Sequence, residues 1–218
     1  EKRHSGKTKF NTKNQIKLEV SMAIVVEHEK RKREILDRAL DVFVEEGYED
    51  ATFQKIADKC GITRTTLYIY FKNKREIFLW SIKQLTEGLE KSLLETMKDD
   101  SLSSVEILRI VNTKIVQKCV ENRRLFSVVL TYLLQLQKTG KDPGERVRRR
   151  TIRLRHLLSK ILIEGINKGE FKDVNVKSCN EMFYSLIEST VFRLAILDAS
   201  NVEELYPSVD LAGGGMIK

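Results

Sequence analysis

Only two prolines, Pro143 and Pro207, interrupt 218 residues, and three of the eleven glycines are bunched at Gly213, Gly214 and Gly215. Proline removes a backbone donor and clashes with the preceding helical turn, so a chain this poor in breakers is free to run in long helices. The apolar spacing says where. Ile35, Leu36, Ala39, Leu40, Phe43 and Val44 recur at three and four residues, lining one helical face from Lys30, and Gly47 lies where that helix would stop. Thr52 can cap a short helix from Phe53 to Cys60, Gly61 breaks it, and Thr63 can cap another running to about Tyr70. Beyond Lys74, the residues Ile77, Phe78, Leu85, Leu89, Leu93 and Met97 write a longer helix that ends near Asp99. Ser103 with Glu106 forms a capping box for a helix from about 104 to 120. Asn122 opens an apolar segment, Leu125 to Leu136, that Gly140 closes; Asp142, Pro143 and Glu145 then start a long helix that Gly169 stops. Asn175 caps a last one, in which Met182, Phe183, Leu186, Ile187, Val191, Leu194 and Leu197 cover more than one face. The chain is expected to be all-α.

Residues 1–29 hold scattered lysines and no sustained period beyond a patch from Val20 to Val26, so a flexible basic arm with at most a short helix is expected there; the tail from Ser200 carries no clear period. A balance of 39 Lys+Arg against 31 Asp+Glu gives a net charge of +8 and a pI near 9.3, which favours nucleic acid or an anionic membrane surface as partner. No apolar stretch approaches the ~18 residues that a membrane span requires, and the run from Met22 to Val26 is too short for a secretory signal core. Cys60, Cys119 and Cys179 are odd in number and far apart, so neither a disulfide framework nor a thiolate metal site is indicated, and a reducing cytoplasm fits best.

The segment from Phe53 to Tyr70 has the spacing of a helix-turn-helix. Two helices crossing steeply need a small residue where they touch and a turn between them, and Ala57 and Gly61 supply these. Ile56, Cys60, Ile62 and Leu67 fall on the inner faces and are expected to glue the pair to the preceding helix through Phe43 and Val44. Arg64, Thr65, Thr66 and Tyr68 occupy the remaining face of the second helix, free to meet base edges or phosphates. Residues 51–75 hold six Lys+Arg, among them Lys72 and Lys74, and one acid.

At this point the sequence resembles a known family. Gly61-Ile-Thr-Arg-Thr-Thr-Leu-Tyr-Ile-Tyr-Phe-Lys-Asn-Lys-Arg-Glu-Ile77 is similar to the recognition-helix signature of the TetR (tetracycline repressor-like) transcription regulators. The likeness runs from about Lys30 to Leu85 and includes Ala39-Leu-Asp-Val-Phe43, Gly47-Tyr48 and Thr52. It implies an N-terminal three-helix helix-turn-helix DNA-binding domain over residues 30–75, followed by a C-terminal helical effector-binding and dimerisation bundle over 76–218. By that likeness Thr52, Tyr68, Tyr70 and Lys74 match positions that hold phosphates, and Thr63, Arg64 and Thr65 match the base-reading start of the recognition helix. The family often carries Ser where Thr63 stands, and His or Tyr where Tyr70 stands.

The function so implied is a ligand-responsive transcriptional regulator, a repressor by the likeness, that binds a palindromic double-stranded operator as a homodimer and is released by an unidentified small-molecule effector. Trp80, Phe126, Tyr132, Phe183 and Tyr184 could line the effector pocket, although core packing is the commoner role for each taken singly. Met182, Phe183, Leu186, Ile187, Val191 and Leu194 offer more apolar surface than one core can use and are expected at the dimer interface, with the helix from Ile77 to Met97 carrying the effector's signal. An effector-free helical DNA-coating or interaction protein is the alternative, distinguished by a filled interior without a cavity. The run Arg146, Arg148, Arg149, Arg150, Arg153 and Arg155 reads as a solvated helix face. His4, His28 and His156 lack a carboxylate or cysteine partner at ligand spacing, and there is no Gly-rich phosphate loop or nucleophile motif, so neither a metal, a cofactor nor an enzymatic activity is expected.

Overall fold

The computed structural model describes residues 5–197 and 205–218; His4 and the start of the C-terminal tail, 198–204, lie outside the described residues. Nine helices follow one another among them: α1 (Ser5–Asp50), α2 (Phe53–Cys60), α3 (Arg64–Tyr70), α4 (Lys74–Met97), α5 (Ser104–Glu121), α6 (Arg123–Lys138), α7 (Pro143–Asn167), α8 (Val176–Ala195) and α9 (Leu205–Gly214). Most ends fall where short polar side chains and glycines stand. Ser103 and Glu106 cap α5 reciprocally, Asp142 accepts from the Gly144 N–H at 2.7 Å at the start of α7, and Asn175 accepts from that of Ser178 at 2.9 Å at the start of α8. Gly61 and Gly140 end their helices at φ of 65° and 72°, a left-handed conformation that costs other residues energy.

One expectation needs correction, and one segment that the sequence left unassigned gains a structure. Residues 5–29 are not an irregular arm: α1 runs from Ser5 straight into the helix expected from Lys30. No proline and, after Gly6, no glycine intervenes before Gly47, and once a helix is nucleated each further residue adds a hydrogen bond. The patch around Val26 lacks a period for its own reason: Met22, Ile24, Val25 and Val26 are all exposed, so burial imposes no pattern on these residues. At Gly47 the backbone leaves helical geometry, with φ 81° and ψ 170°. The tail also holds a helix, α9, after which Ile217 bridges to Phe171 and the Lys172 N–H donates to the Met216 carbonyl at 2.9 Å.

The chain forms two compact units, one built from residues up to Val42 with Ala51–Ser81, the other from Phe43–Asp50 and Ile82 onward. In the first, Ile35, Leu36, Ala39, Ile56, Ala57, Leu67, Phe71, Ile77 and Phe78 are buried. The Ser81 hydroxyl donates to the Leu36 carbonyl at 2.9 Å and the Arg38 guanidinium to the Lys59 carbonyl at 3.1 Å, fastening α4 and the end of α2 to α1. Phe43, expected in this core, belongs to the second unit, where its ring lies 6.1 Å from that of Tyr48.

The second unit packs Leu93, Ile107, Val111, Ile115, Leu158, Leu162, Phe171 and Phe183 into one core. Burial pushes the Cys119 thiol up to about 12, so it stays protonated and unreactive. A clamp joins distant parts of the sequence: the Glu170 carboxylate accepts from the Ser104 N–H at 2.6 Å, capping α5, and the Phe171 ring lies on Gly165 of α7. A Cβ at Gly165 would stand 2.1 Å from a Phe171 ring carbon, whereas one at Gly88, within α4, would meet nothing within 4 Å. Gly88→Ala should therefore stabilise the protein by about 0.5–1 kcal/mol through lower chain entropy. Gly165→Ala should destabilise it by about 1–3 kcal/mol through overpacking. Urea denaturation of both variants checks this; shifts of the same sign would remove Phe171 from its place on Gly165.

Candidate nucleic-acid interface and ligand cleft

Helices of eight and seven residues need help at both ends, and α2 and α3 receive it. The Thr52 hydroxyl accepts from the Lys55 N–H at 3.2 Å, and the Gly61 and Ile62 N–H groups return to carbonyls of α2. The Thr63 hydroxyl accepts from the Thr66 N–H at 3.1 Å and pairs with the Thr66 hydroxyl at 2.8 Å. Both threonines, candidates for DNA contact, thus act first as caps; Thr66 is half-buried while Thr52 and Thr63 remain exposed.

With Leu67 fully buried, the opposite side of α3 presents Arg64, Thr65, Tyr68 and Ile69 to solvent. The Arg64 guanidinium donates to the Tyr68 hydroxyl at 3.2 Å, and the Tyr68 ring stacks on Phe53 with centroids 4.7 Å apart. A cation is thereby held on a rigid aromatic support at the start of the helix. Tyr70 is half-buried, its ring stacked on His28 of α1 at 4.6 Å. Lys72 is exposed, with its N–H donating to the Glu76 carboxylate at 2.7 Å, and Lys74 opens α4 half-buried. Three residues of this surface escaped the sequence argument. Ile69 is 70% exposed, one turn beyond Thr65 on the same face, and an apolar residue four after a polar one was the available signal. Phe53 and His28 act through ring stacking between elements, for which sequence carries no local sign.

In the second unit a cleft of about 510 Å³ is bounded by α6, α7 and α8, with Leu130, Leu134, Val147, Arg155, Tyr184 and Phe192 among its walls. A smaller one, of about 210 Å³, lies between α4 and α7 over Leu89, Leu93, Leu154 and Leu157. Of the five aromatics expected around an effector, Tyr184 alone lines either cleft among the described residues. Phe183 is interior, Phe126 packs against the core, and Tyr132 is buried edge-on to Tyr48 at 4.7 Å. Trp80 belongs to the first unit, where the Lys32 ammonium sits 4.6 Å from its ring.

The expected dimer face is corrected in part. Phe183 and Leu194 are buried in the protomer's own core, and Leu186, Ile187 and Val191 pack against it. Met182 is exposed, as are Ser185, Ser189, Phe192 and Ile196, which together form the outward stripe of α8. Apolar residues on both sides of a helix do not say which side is inward. Ile152 and Ile163 add exposed apolar surface on α7. The described arginines of that helix are ion-paired: Arg148 with Asp142, Arg149 with Glu145, Arg153 with Glu90 and Arg155 with Glu181. The side chains of Arg146 and Arg150 lie outside the described set.

Residues 35–79 match the model of the bacterial regulatory proteins of the tetR family. The chain is 28% identical over 167 residues, 74% of its length and 84% of the relative's, to the fatty acid metabolism regulator protein of Bacillus subtilis (strain 168). Among solved structures it is similar to the transcriptional regulator FadR from Bacillus subtilis in complex with stearoyl-CoA, at 25% identity and a TM-score of 0.68, covering 84% of this chain and 98% of that one. A TetR transcription regulator from Haloarcula marismortui shares the fold at a TM-score of 0.76 and 22% identity, over 87% of this chain and all of the other (100%).

The supported cation on α3 generates a prediction. Arg64→Ala should cost about 1–3 kcal/mol on a selected DNA site and relax base preference at one or two positions. Competition binding on selected and scrambled duplexes measures it, and equal losses on both would exclude Arg64 from base reading.

Proposed function

The chain belongs to the tetR family of bacterial regulatory proteins, and from that premise we propose that it represses transcription as a homodimer on a palindromic operator and is released by a fatty-acyl effector. It is a DNA-binding transcriptional regulator with a helix-turn-helix. The observation that carries the reading is the exposed side of α3, where Arg64, Thr65, Tyr68 and Ile69 project from a helix fixed by caps and burial. Arg64 suits the acceptor pair of guanine, Thr65 a base edge or phosphate, and Ile69 the methyl of thymine. Thr63 stands with Arg64 and Thr65 at the base-reading start of the helix, while Thr52, Tyr70 and Lys74, with Lys72 between them in sequence, suit phosphates, which fix register without reading sequence.

A single seven-residue helix reads few base pairs, so two copies related by a two-fold axis are required for an operator of useful length. The exposed stripe of α8, Met182, Ser185, Ser189 and Phe192, with Ile152 and Ile163 of α7, supports a four-helix seam between copies. The effector class comes from likeness: a curated relative matched over 74% of the chain regulates fatty acid metabolism, and the related FadR structure holds stearoyl-CoA. A cleft in the second unit favours this over an effector-free coating protein. Helix α4 has residues in both units, so a displacement of its later turns is passed along one continuous backbone.

The experiment is binding-site selection from random duplexes, followed by titration of the complex with stearoyl-CoA. A palindromic site released by micromolar stearoyl-CoA is the expected result. Selection of no sequence would overturn the regulator reading, and an unchanged complex would overturn the effector class. Separately, Ile163→Arg combined with Met182→Arg should yield folded monomers by sedimentation, with operator affinity falling towards that for random DNA. Persistence of a dimer in this variant would move the seam elsewhere.

A further inference from the structure

We propose that the first turns of α1, residues 5–18, lie on the phosphate backbone of DNA outside the stretch that the helix-turn-helix covers. The inference rests on the regulator reading above and lengthens its footprint. Residues 22–30 are exposed, and burial begins at Arg31. Around that point α1 is held in place: the His28 ring stacks on Tyr70 with centroids 4.6 Å apart, and the Lys32 ammonium lies 4.6 Å from the Trp80 ring centroid and 5.8 Å from that of Phe71. Tyr70 ends α3, two residues before Lys72 and four before Lys74, at a position suited to phosphates. The helix therefore leaves the core at the edge of the DNA-facing surface, within the same compact unit. From His28 back to Ser5 it continues for about 35 Å at ~1.5 Å per residue, close to one turn of DNA.

The charge is divided along that length. Residues 5–18 hold Lys7, Lys9, Lys13 and Lys17 and no acid, whereas Glu19, Glu27 and Glu29 fall nearer the core. Lys9, Lys13 and Lys17 recur at every fourth position, which a helix brings into one row with steps of about 6 Å. No Asp or Glu stands three or four residues from any of the four, so the ion pairing that Arg149 finds with Glu145 on α7 has no counterpart in this sequence. Like charges four apart weaken a helix, and a polyanion laid along the row relieves that repulsion. An anionic membrane or a second copy of α1 would instead need a continuous apolar stripe. Met22 and Ile24 are exposed on opposite sides of the helix, and Asn11, Gln15 and Glu29 interrupt the row of Met22 and Val25 before and after. That falls short of the three or four heptads of a helix pair, while a duplex with one charge per ~1.7 Å suits a row of lysines.

The test uses the full chain and a variant combining Lys7→Gln, Lys9→Gln, Lys13→Gln and Lys17→Gln. Each is titrated with a selected duplex trimmed to its core and with the same duplex extended by about one turn on either side. The wild type should bind the extended duplex at least about tenfold more tightly and the variant should bind both within about twofold. The variant's slope of log affinity against log salt should be smaller by at least about two units per protomer. Its preference for the selected over a scrambled sequence should stay the same, because phosphates carry no sequence information. In the unmodified protein the extended duplex, and not the trimmed one, should shield Lys9, Lys13 and Lys17 from acylation by a succinimidyl ester, read by peptide mass and independent of any variant's folding. Equal gains from the longer duplex in both proteins, a smaller change of slope, a changed preference or unshielded lysines would overturn the proposal. A variant that sediments as a monomer would overturn it by assigning the segment to a second copy, and shielding by phosphatidylglycerol vesicles but not by DNA would assign it to a membrane. The length, salt and shielding readings can also be made on random duplexes, so a protein that shows them while selecting no sequence would sink the regulator reading alone.

Discussion

Helices of eight and seven residues do not persist alone in water, because so few hydrogen bonds cannot offset the cost of nucleation. That α2 and α3 exist at all depends on their capped ends at Thr52, Gly61 and Thr63 and on the burial of Ile56, Ala57, Cys60 and Leu67. The inward positions are consumed by this requirement. The outward ones are therefore free to carry polar and charged groups, and their geometry is inherited from the caps. Arg64 has a defined location because Tyr68 lies on Phe53 and Phe53 is anchored at the start of α2. A flexible basic segment with the same charge would bind phosphates but could not hold a fixed register on base edges.

The second unit meets the same need for fixed ends by long-range contacts. Glu170 caps α5 from beyond the end of α7, and the Phe171 ring occupies the space that the missing side chain of Gly165 leaves. The C-terminal residues Met216 and Ile217 close over this region. With α5, α7 and α9 joined in this way, the larger cleft of the unit opens between α6, α7 and α8.

Much of this was legible in the sequence because it is local chemistry. Thr52, Ser103, Pro143 and Asn175 mark helix starts, Gly61 and Gly140 mark ends, and three- and four-residue spacing marks inward faces. What could not be read depends on contacts distant in sequence or on the absence of burial. The patch from Met22 to Val26 has no helical period because its large apolar residues face solvent. α8 is apolar on two sides, and only the fold separates Phe183 and Leu194, which are interior, from Met182 and Phe192, which are not. The aromatic content was no guide to a pocket either, since most of those rings are consumed by packing and Trp80 belongs to the first unit.

The central claim is that the exposed side of α3 reads the major groove in two symmetric copies. Methylation interference on a selected duplex measures this directly, because methyl groups on guanine N7 block the major groove alone. The account predicts two clusters of interference related by a dyad and separated by about one helical turn, roughly 10 base pairs, or a small multiple of it. Interference confined to minor-groove adenine N3, or none at all on a duplex that still binds tightly, would contradict it.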